Sequence, residues 1–224
     1  MEFDKENFDF PDINKSTVAI IGLGYVGLPL AVEIAKKQKS NLSGEIIDRK
    51  VIGFDINHKR IEELKNGYDR TNEISQSHNL TNVFIDLTND FKKLIHADIF
   101  IITVPTPIDN DNKPDLTALK NASITVAKAL KLKKESEFDI KKRLTPIVIF
   151  ESTVYPGTTE EICIPLIEKN SGLTCDSLKN FKSFCCGYSP ERINPGDKKH
   201  KIKDIVKVTS GSNIEVSDWI DNFY

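Results

Sequence analysis

The sequence has little of what would mark a membrane, nucleic-acid-binding or disulfide-built protein. No apolar run approaches the roughly 20 residues that a membrane-spanning helix needs. With 31 Lys and Arg against 33 Asp and Glu, the net charge of −2 offers no basic field for nucleic acid or an anionic lipid surface. Residues 1–15 are acidic, polar and interrupted by Pro11, and they lack the apolar core of a signal peptide. The cysteines are Cys163, Cys175, Cys185 and Cys186, with no C-x-x-C spacing. Two adjacent cysteines on a strand face opposite ways and are poorly placed to share a metal. The expectation is reduced thiols, a cytoplasmic location and no metal. There is no internal repeat or low-complexity tract. What remains is a composition of 39% hydrophobic and 29% charged residues, ordinary for a globular domain with a buried core.

Thr17–Lys37 reads TVAIIGLGYVGLPLAVEIAKK. The apolar, β-branched run Val18–Ile21 is too short for a helix and fits a strand buried on both faces. Gly22, Gly24 and Gly27 follow in G-x-G-x-x-G spacing. Leu28, Leu30, Ala31, Ile34 and Ala35 then share a helical face. Strand, glycine turn and helix make the context in which that spacing marks dinucleotide binding. Gly22 allows the tight turn, Gly24 lets backbone approach a pyrophosphate, and Gly27 lets helix pack on strand. A glycine-rich turn without a ligand is the plainer alternative.

The second strand, Val51–Phe54, ends at Asp55. A carboxylate there accepts hydrogen bonds from adenosine-ribose hydroxyls and repels the 2′-phosphate of NADP, which points to NAD. Asp55 lies 28 positions after Gly27, beyond the usual spacing of about 20, and the polar loop between them accounts for the excess. Asp55 could instead cap a helix over Asn57–Asn66. Arg60 could lie over the adenine or ribose, or be solvated. A short strand is expected at Val83–Ile85 and a buried one at Ile99–Val104, leaving the sheet at Pro105-Thr106-Pro107. Thr106 is either a cofactor contact or a surface residue of a proline turn. A strand at Pro146–Phe150 ends in Glu151-Ser152-Thr153, and Thr158 with Glu161 fits a capping box. A strand at Phe184–Tyr188 ends in SPERINPG, where Glu191 and Arg192 offer an acceptor and a bidentate donor for a polar substrate, or a surface ion pair. One more strand is expected at Ile205–Thr209.

These elements alternate as in an α/β fold: a Rossmann-like, doubly wound, mainly parallel sheet with helices on both faces. The expected division is a loosely held arm at 1–16, in which Phe3, Phe8 and Phe10 do little, an NAD-binding domain at 17–211, and the start of a connecting helix at 212–224.

VAIIGLGYVGLPLA, VIGFDINHKRIEELKNG, the VPTP turn, FESTVYPGTTEE and YSPERINPGD stand in the order they take in nucleotide-sugar dehydrogenases. From Thr17 to about Gly211 the chain resembles the UDP-glucose/GDP-mannose dehydrogenase family. SPERINPGD, with DRTNEIS at Asp69–Ser75, resembles most the bacterial branch that acts on UDP-N-acetylhexosamines for capsule, Vi-antigen or O-antigen synthesis. UDP-glucose and UDP-N-acetylmannosamine are the alternative substrates. The resemblance implies oxidation of the sugar C6 alcohol to a carboxylate with two NAD⁺ and one water, through a cysteine-bound intermediate. It implies that Tyr25 and Val26 meet the pyrophosphate through backbone, and that Asp55 and Arg60 hold the adenosine ribose. Thr106 and Thr153 would line the NAD site, Thr153 also near the reacting carbon and its water, and Glu191, Arg192 and Ile193 would face the UDP-sugar. Where the UDP-glucose branch has a second glutamate, four residues after the position of Glu191, this sequence has Pro195. The family's catalytic cysteine, dimer helix and UDP-binding domain lie beyond residue 224. The expectation is therefore an amino-terminal NAD-binding part that is inactive alone, from a family whose full-length members are homodimers. A non-catalytic NAD-binding module is the other reading.

Overall fold

The computed structural model describes residues 9–41, 43–74, 83–136, 144–176, 183–192 and 206–224. In chain order the first half runs β1 (Thr17–Ile21), α1 (Gly27–Ile34), β2 (Gln38–Lys39), β3 (Ile46–Ile47), β4 (Lys50–Phe54), α2 (His58–Lys65) and β5 (Ile85–Thr88). A 3-10 helix at Phe91–His96 leads to β6 (Ile99–Ile102), α3 (Thr117–Glu135) and β7 (Ile147–Phe150). A π-helical turn at Thr159–Cys163 opens α4 (Ile164–Ser171), followed by β8 (Thr174–Cys175), β9 (Ser183–Tyr188), β10 (Ser210–Gly211) and α5 (Ile214–Phe223).

The main sheet has the order β10-β9-β7-β6-β1-β4-β5, with β8 pairing β9, and among the described residues only β10 runs antiparallel. The chain winds outward from β1 in both directions, the doubly wound arrangement. Alternate residues of each central strand feed opposite cores. Ala19, Ile21, Phe100, Ile102, Val148 and Phe150 pack with α3 and α4. Val18, Ile20, Ile99, Ile101, Ile147 and Ile149 pack with α1, α2 and α5.

Several expectations need correction. The strand placed at Val83–Ile85 begins where that stretch ends, at Ile85. The polar loop after α1 contains the small antiparallel pair β2–β3. Asn57, not Asp55, caps α2, accepting from Arg60 N at 3.2 Å. Thr158 makes no capping box: its hydroxyl donates to Tyr155 O, and the helix opens with a π turn in which Ile164 N reaches Thr159 O. Pro165, in the first turn of α4, has no N–H for the regular ladder. The last strand is Ser210–Gly211 rather than Ile205–Thr209, of which Ile205 lies outside the described residues.

At the chain ends, the arm departs from the loose attachment expected of it, while the expected helix forms at Ile214–Phe223. The arm is held: Trp219 Nε1 donates to Pro11 O (3.0 Å), Thr145 N to Asp9 O (2.8 Å), and Phe10 sits 6.4 Å from the Trp219 ring. Phe3 and Phe8 lie outside the described residues. The 212–224 stretch is packed into the domain, with Val216, Ile220 and Phe223 buried in the second core. Gly211 and Gly187 permit this approach, because a Cβ on Gly211 would lie 2.3 Å from Ser217 N and one on Gly187 2.0 Å from Ile220 Cδ1. Arg49 closes the corner, donating to Ile13 O (2.6 Å) and Phe223 O (2.9 Å) with its guanidinium 4.0 Å over the Phe223 ring. Among the described residues no helix is long and apolar enough to cross a membrane.

Candidate functional site

Because β1, β4, β6, β7 and β9 are parallel, their carboxyl ends share one edge of the sheet. In open α/β sheets that edge, at the point where strand order reverses, is where ligands bind. Here the reversal falls between β1 and β6.

The glycine turn stands at that point. Gly22 has φ +98, a backbone region that suits glycine, and its N–H donates to Phe54 O at 2.8 Å. Gly22 O accepts from Thr103 Oγ1 at 2.8 Å, which ties the turn to the end of β6. Gly27 sits so close to the turn that a Cβ there would lie 1.9 Å from Gly22 O and 2.4 Å from Thr103 Oγ1. Around Gly24 the space is open: a Cβ on this residue would meet no atom within 4 Å. A helix packed hard on a strand beside an open glycine is a cradle suited to a pyrophosphate. At the start of α1, Leu28 N donates to Gly24 O at 3.2 Å, and the positive dipole end of the helix points at the turn. Tyr25 is 40% exposed at this turn, while the Val26 side chain is buried and its backbone opens α1.

Leu23, between the first two glycines, is gripped twice. Its N–H donates to Asp55 Oδ2 at 2.9 Å, and its carbonyl accepts from Arg60 Nε at 2.8 Å. Asp55 Oδ1 also accepts from Asn57 N at 2.8 Å. An ionised carboxylate has about four acceptor sites, so Asp55 retains capacity for ribose hydroxyls. Arg60 is not solvated. It is 4% exposed, pairs through Nη2 with Asp69 Oδ1 at 2.8 Å, and keeps Nη1 buried with no hydrogen-bond partner among the described residues. Asp69 is itself buried. Burial opposes its charge, yet bonds from the Thr71 hydroxyl, the Arg60 guanidinium and the Thr71 and Ile74 N–H groups hold its carboxyl below the usual range.

On the other side of the reversal, the turns after β6 and β7 are laced together. Thr106 Oγ1 donates to Thr153 O, and Ser152 Oγ to Val104 O at 2.6 Å. The two threonines read from sequence are thus neighbours, with Thr153 exposed at the sheet edge. Arg192 is exposed and donates to Val206 O at 3.3 Å, while half-buried Glu191 lies near enough to Glu151 and Tyr224 for its charge to raise both their pKa values. Ile193, and Pro195 after it, lie outside the described residues.

Sequence reading missed Glu151. It is 1% exposed, accepts from Lys207 Nζ at 2.6 Å and from the Tyr224 hydroxyl, and stands two residues before Thr153. Burial pushes its carboxyl up, and Lys207 only partly offsets this. The signal was in the alternation: Ile147 and Ile149 face a core, so Glu151 must face it too, and a carboxylate there needs partners. Burial keeps Cys163, Cys185 and Cys186 from being activated thiols. Cys163 is pushed up to about 11, chiefly by burial, and Cys185 and Cys186 also rise. Among the described residues no group of three or more His, Cys, Asp or Glu is arranged to hold a metal.

The family model of the UDP-glucose/GDP-mannose dehydrogenase family, NAD-binding domain, matches residues 16–221. The chain is 49% identical to protein CapL of Staphylococcus aureus over 209 residues, covering 92% of this chain and 42% of that protein. It is 46% identical to a UDP-N-acetyl-D-glucosamine 6-dehydrogenase of Pseudomonas aeruginosa, covering 92% and 42%. A Salmonella typhi protein of the same name is 44% identical, with 95% and 43% covered. The chain therefore spans under half the length of these curated relatives. Among solved structures, a UDP-D-ManNAc dehydrogenase of Pyrococcus horikoshii superposes with a TM-score of 0.69 at 27% identity, over 92% of this chain and 44% of that one. A GDP-mannose dehydrogenase of Pseudomonas aeruginosa, at TM-score 0.70 and 24% identity over 92% and 43%, shares the fold.

Proposed function

This chain belongs to the UDP-glucose/GDP-mannose dehydrogenase family, matched over its NAD-binding domain, and on that premise we propose that it is the NAD-binding part of a nucleotide-sugar 6-dehydrogenase. The substrate is of the UDP-N-acetylglucosamine type, its C6 alcohol is oxidised to a carboxylate with two NAD⁺ and one water, and the product enters surface-polysaccharide synthesis. The names of the relatives at 44–49% identity favour this branch. The observation that carries the cofactor is the Gly22–Gly27 cradle, open at Gly24, with Asp55 at the end of the neighbouring strand.

The Tyr25 and Val26 backbone and the α1 N-terminus hold the pyrophosphate, and Asp55 accepts from the adenosine ribose. NAD⁺ supplies the hydride acceptor. Thr106 and Thr153 line the NAD site, with Thr153 also near the reacting carbon and its water. Glu191, Arg192 and Ile193 face the sugar. Cys163, Cys185 and Cys186 are buried with raised pKa values, which does not suit the reaction's nucleophilic sulfur. The domain is best divided with an arm at 1–16 and α5 as the element leading toward the sugar-binding domain. The working enzyme is a cytoplasmic homodimer.

Calorimetry with the purified chain tests the cofactor assignment. NAD⁺ binds at least about tenfold more tightly than NADP⁺, since the 2′-phosphate meets the Asp55 carboxylate, and Asp55→Asn narrows the gap. A preference for NADP⁺ overturns the assignment. Release of NADH from UDP-N-acetylglucosamine by the 224-residue chain alone contradicts the division of labour.

A further inference from the structure

We infer that Asp69 is a positioning residue of the cofactor site, acting through Arg60 on the peptide between Leu23 and Gly24. The inference rests on the NAD reading above, and it gives the DRTNEIS segment a cofactor-side role rather than a substrate-side one. A peptide group is planar and trans, so fixing the direction of its carbonyl fixes the direction of the N–H on its far side. Arg60 Nε holds Leu23 O at 2.8 Å. The Gly24 N–H is thereby pointed away from Arg60. Asp55 holds Leu23 N at 2.9 Å from the other side, so both peptides flanking Leu23 are pinned.

Arg60 can do this only if its guanidinium is itself held, and Asp69 holds it. Asp69 Oδ1 accepts from Arg60 Nη2 at 2.8 Å, from Thr71 Oγ1 at 2.6 Å and from Thr71 N at 3.0 Å. Its Oδ2 accepts from Glu73 N at 3.1 Å and Ile74 N at 3.2 Å. Four of these five bonds come from its own segment, so the carboxylate is fixed independently of Arg60. Both side chains are almost wholly buried, at 5% and 3% exposure. Two of the guanidinium nitrogens are held by protein acceptors and Nη1 has no partner among the described residues, so in this inference the effect of Arg60 on the cofactor travels through backbone.

The test titrates NAD⁺ and free adenosine into wild type, Asp69→Asn and Arg60→Lys, and records amide spectra of each without ligand. Lysine's single ammonium cannot span Leu23 O and Asp69 as the planar fork does. Both variants weaken NAD⁺ by about 10- to 100-fold, the scale of a lost hydrogen bond to a charged group, with adenosine affinity unchanged. The Leu23 and Gly24 amide resonances shift in both. If Asp69→Asn fails to fold, Arg60→Lys decides by the same readings. Unchanged NAD⁺ affinity in a folded variant overturns the inference, as does an equal loss for adenosine, which would mean direct ribose contact. A wild type that does not bind NAD⁺ overturns the cofactor reading instead, and the ligand-free amide shifts still decide the clamp.

Discussion

Two buried carboxylates among the described residues, Asp69 and Glu151, respond to pH in opposite directions. Asp69 has a lowered folded-state pKa, so its stabilisation is present above the unfolded value of about 3.9 and lost as pH falls through the folded value. Glu151 has a raised one. Its contribution is complete below the unfolded value of about 4.3 and is lost as pH rises through the folded value. Melting temperature against pH should show an acid-side loss that Asp69→Asn removes and a decline on the other side that Glu151→Gln removes. Lys207→Met strands the Glu151 charge and should cost about 3 kcal/mol at neutral pH, the low end for a broken buried pair because Lys207 keeps some exposure. The double variant Glu151→Gln/Lys207→Met should recover most of that loss, and simple additivity would show that the pair is not coupled. Glu151 was legible in hindsight from strand alternation. Its partner was not, because Lys207 comes from a segment 56 residues away that only the sheet order brings near.

At the scale of the element, the glycine turn separates folding from binding. Ala at Gly27 would drive a Cβ into Gly22 O at 1.9 Å, backbone that cannot step aside. Gly27→Ala should lose about 1–3 kcal/mol of stability together with NAD⁺ affinity. Ala at Gly24 meets nothing within 4 Å and needs no positive φ. Gly24→Ala should therefore melt near wild type while binding NAD⁺ poorly, because in the proposed cofactor site the methyl would take the space left open for the pyrophosphate. Denaturant unfolding beside calorimetry checks both, and an equal stability loss would refute the distinction. This turn was readable because strand, spacing and helix are local. So were β6 and β7, whose apolar runs end at prolines or polar residues. The π turn at Thr159–Cys163 was not, because Thr158 and Glu161 fit the spacing of a capping box at the same place. β10 was not, because two residues have no periodicity.

For the whole molecule, the chain ends are the part sequence concealed. Residues 9–16 and α5 have short or irregular patterns of their own, and each acquires its place from the other: Trp219 reaches Pro11, and Arg49 reaches both Ile13 and Phe223. Together they cover one face of the second core, on which Val216 and Ile220 lie fully buried. If this closure belongs to the same cooperative unit as the sheet, the molecule unfolds in one step. Trp219 is the sole tryptophan, so its fluorescence reports the closure while far-ultraviolet dichroism reports the sheet and helices. The two transitions should coincide in the wild-type chain, the test of two-state behaviour. Arg49→Met leaves Trp219 in place but removes the donors to Ile13 O and Phe223 O. In that variant the fluorescence midpoint should move to lower denaturant than the dichroism midpoint, because α5 then releases before the parallel strands. Coincident midpoints in Arg49→Met would mean that apolar burial of Val216, Ile220 and Phe223 alone fastens the helix to the fold.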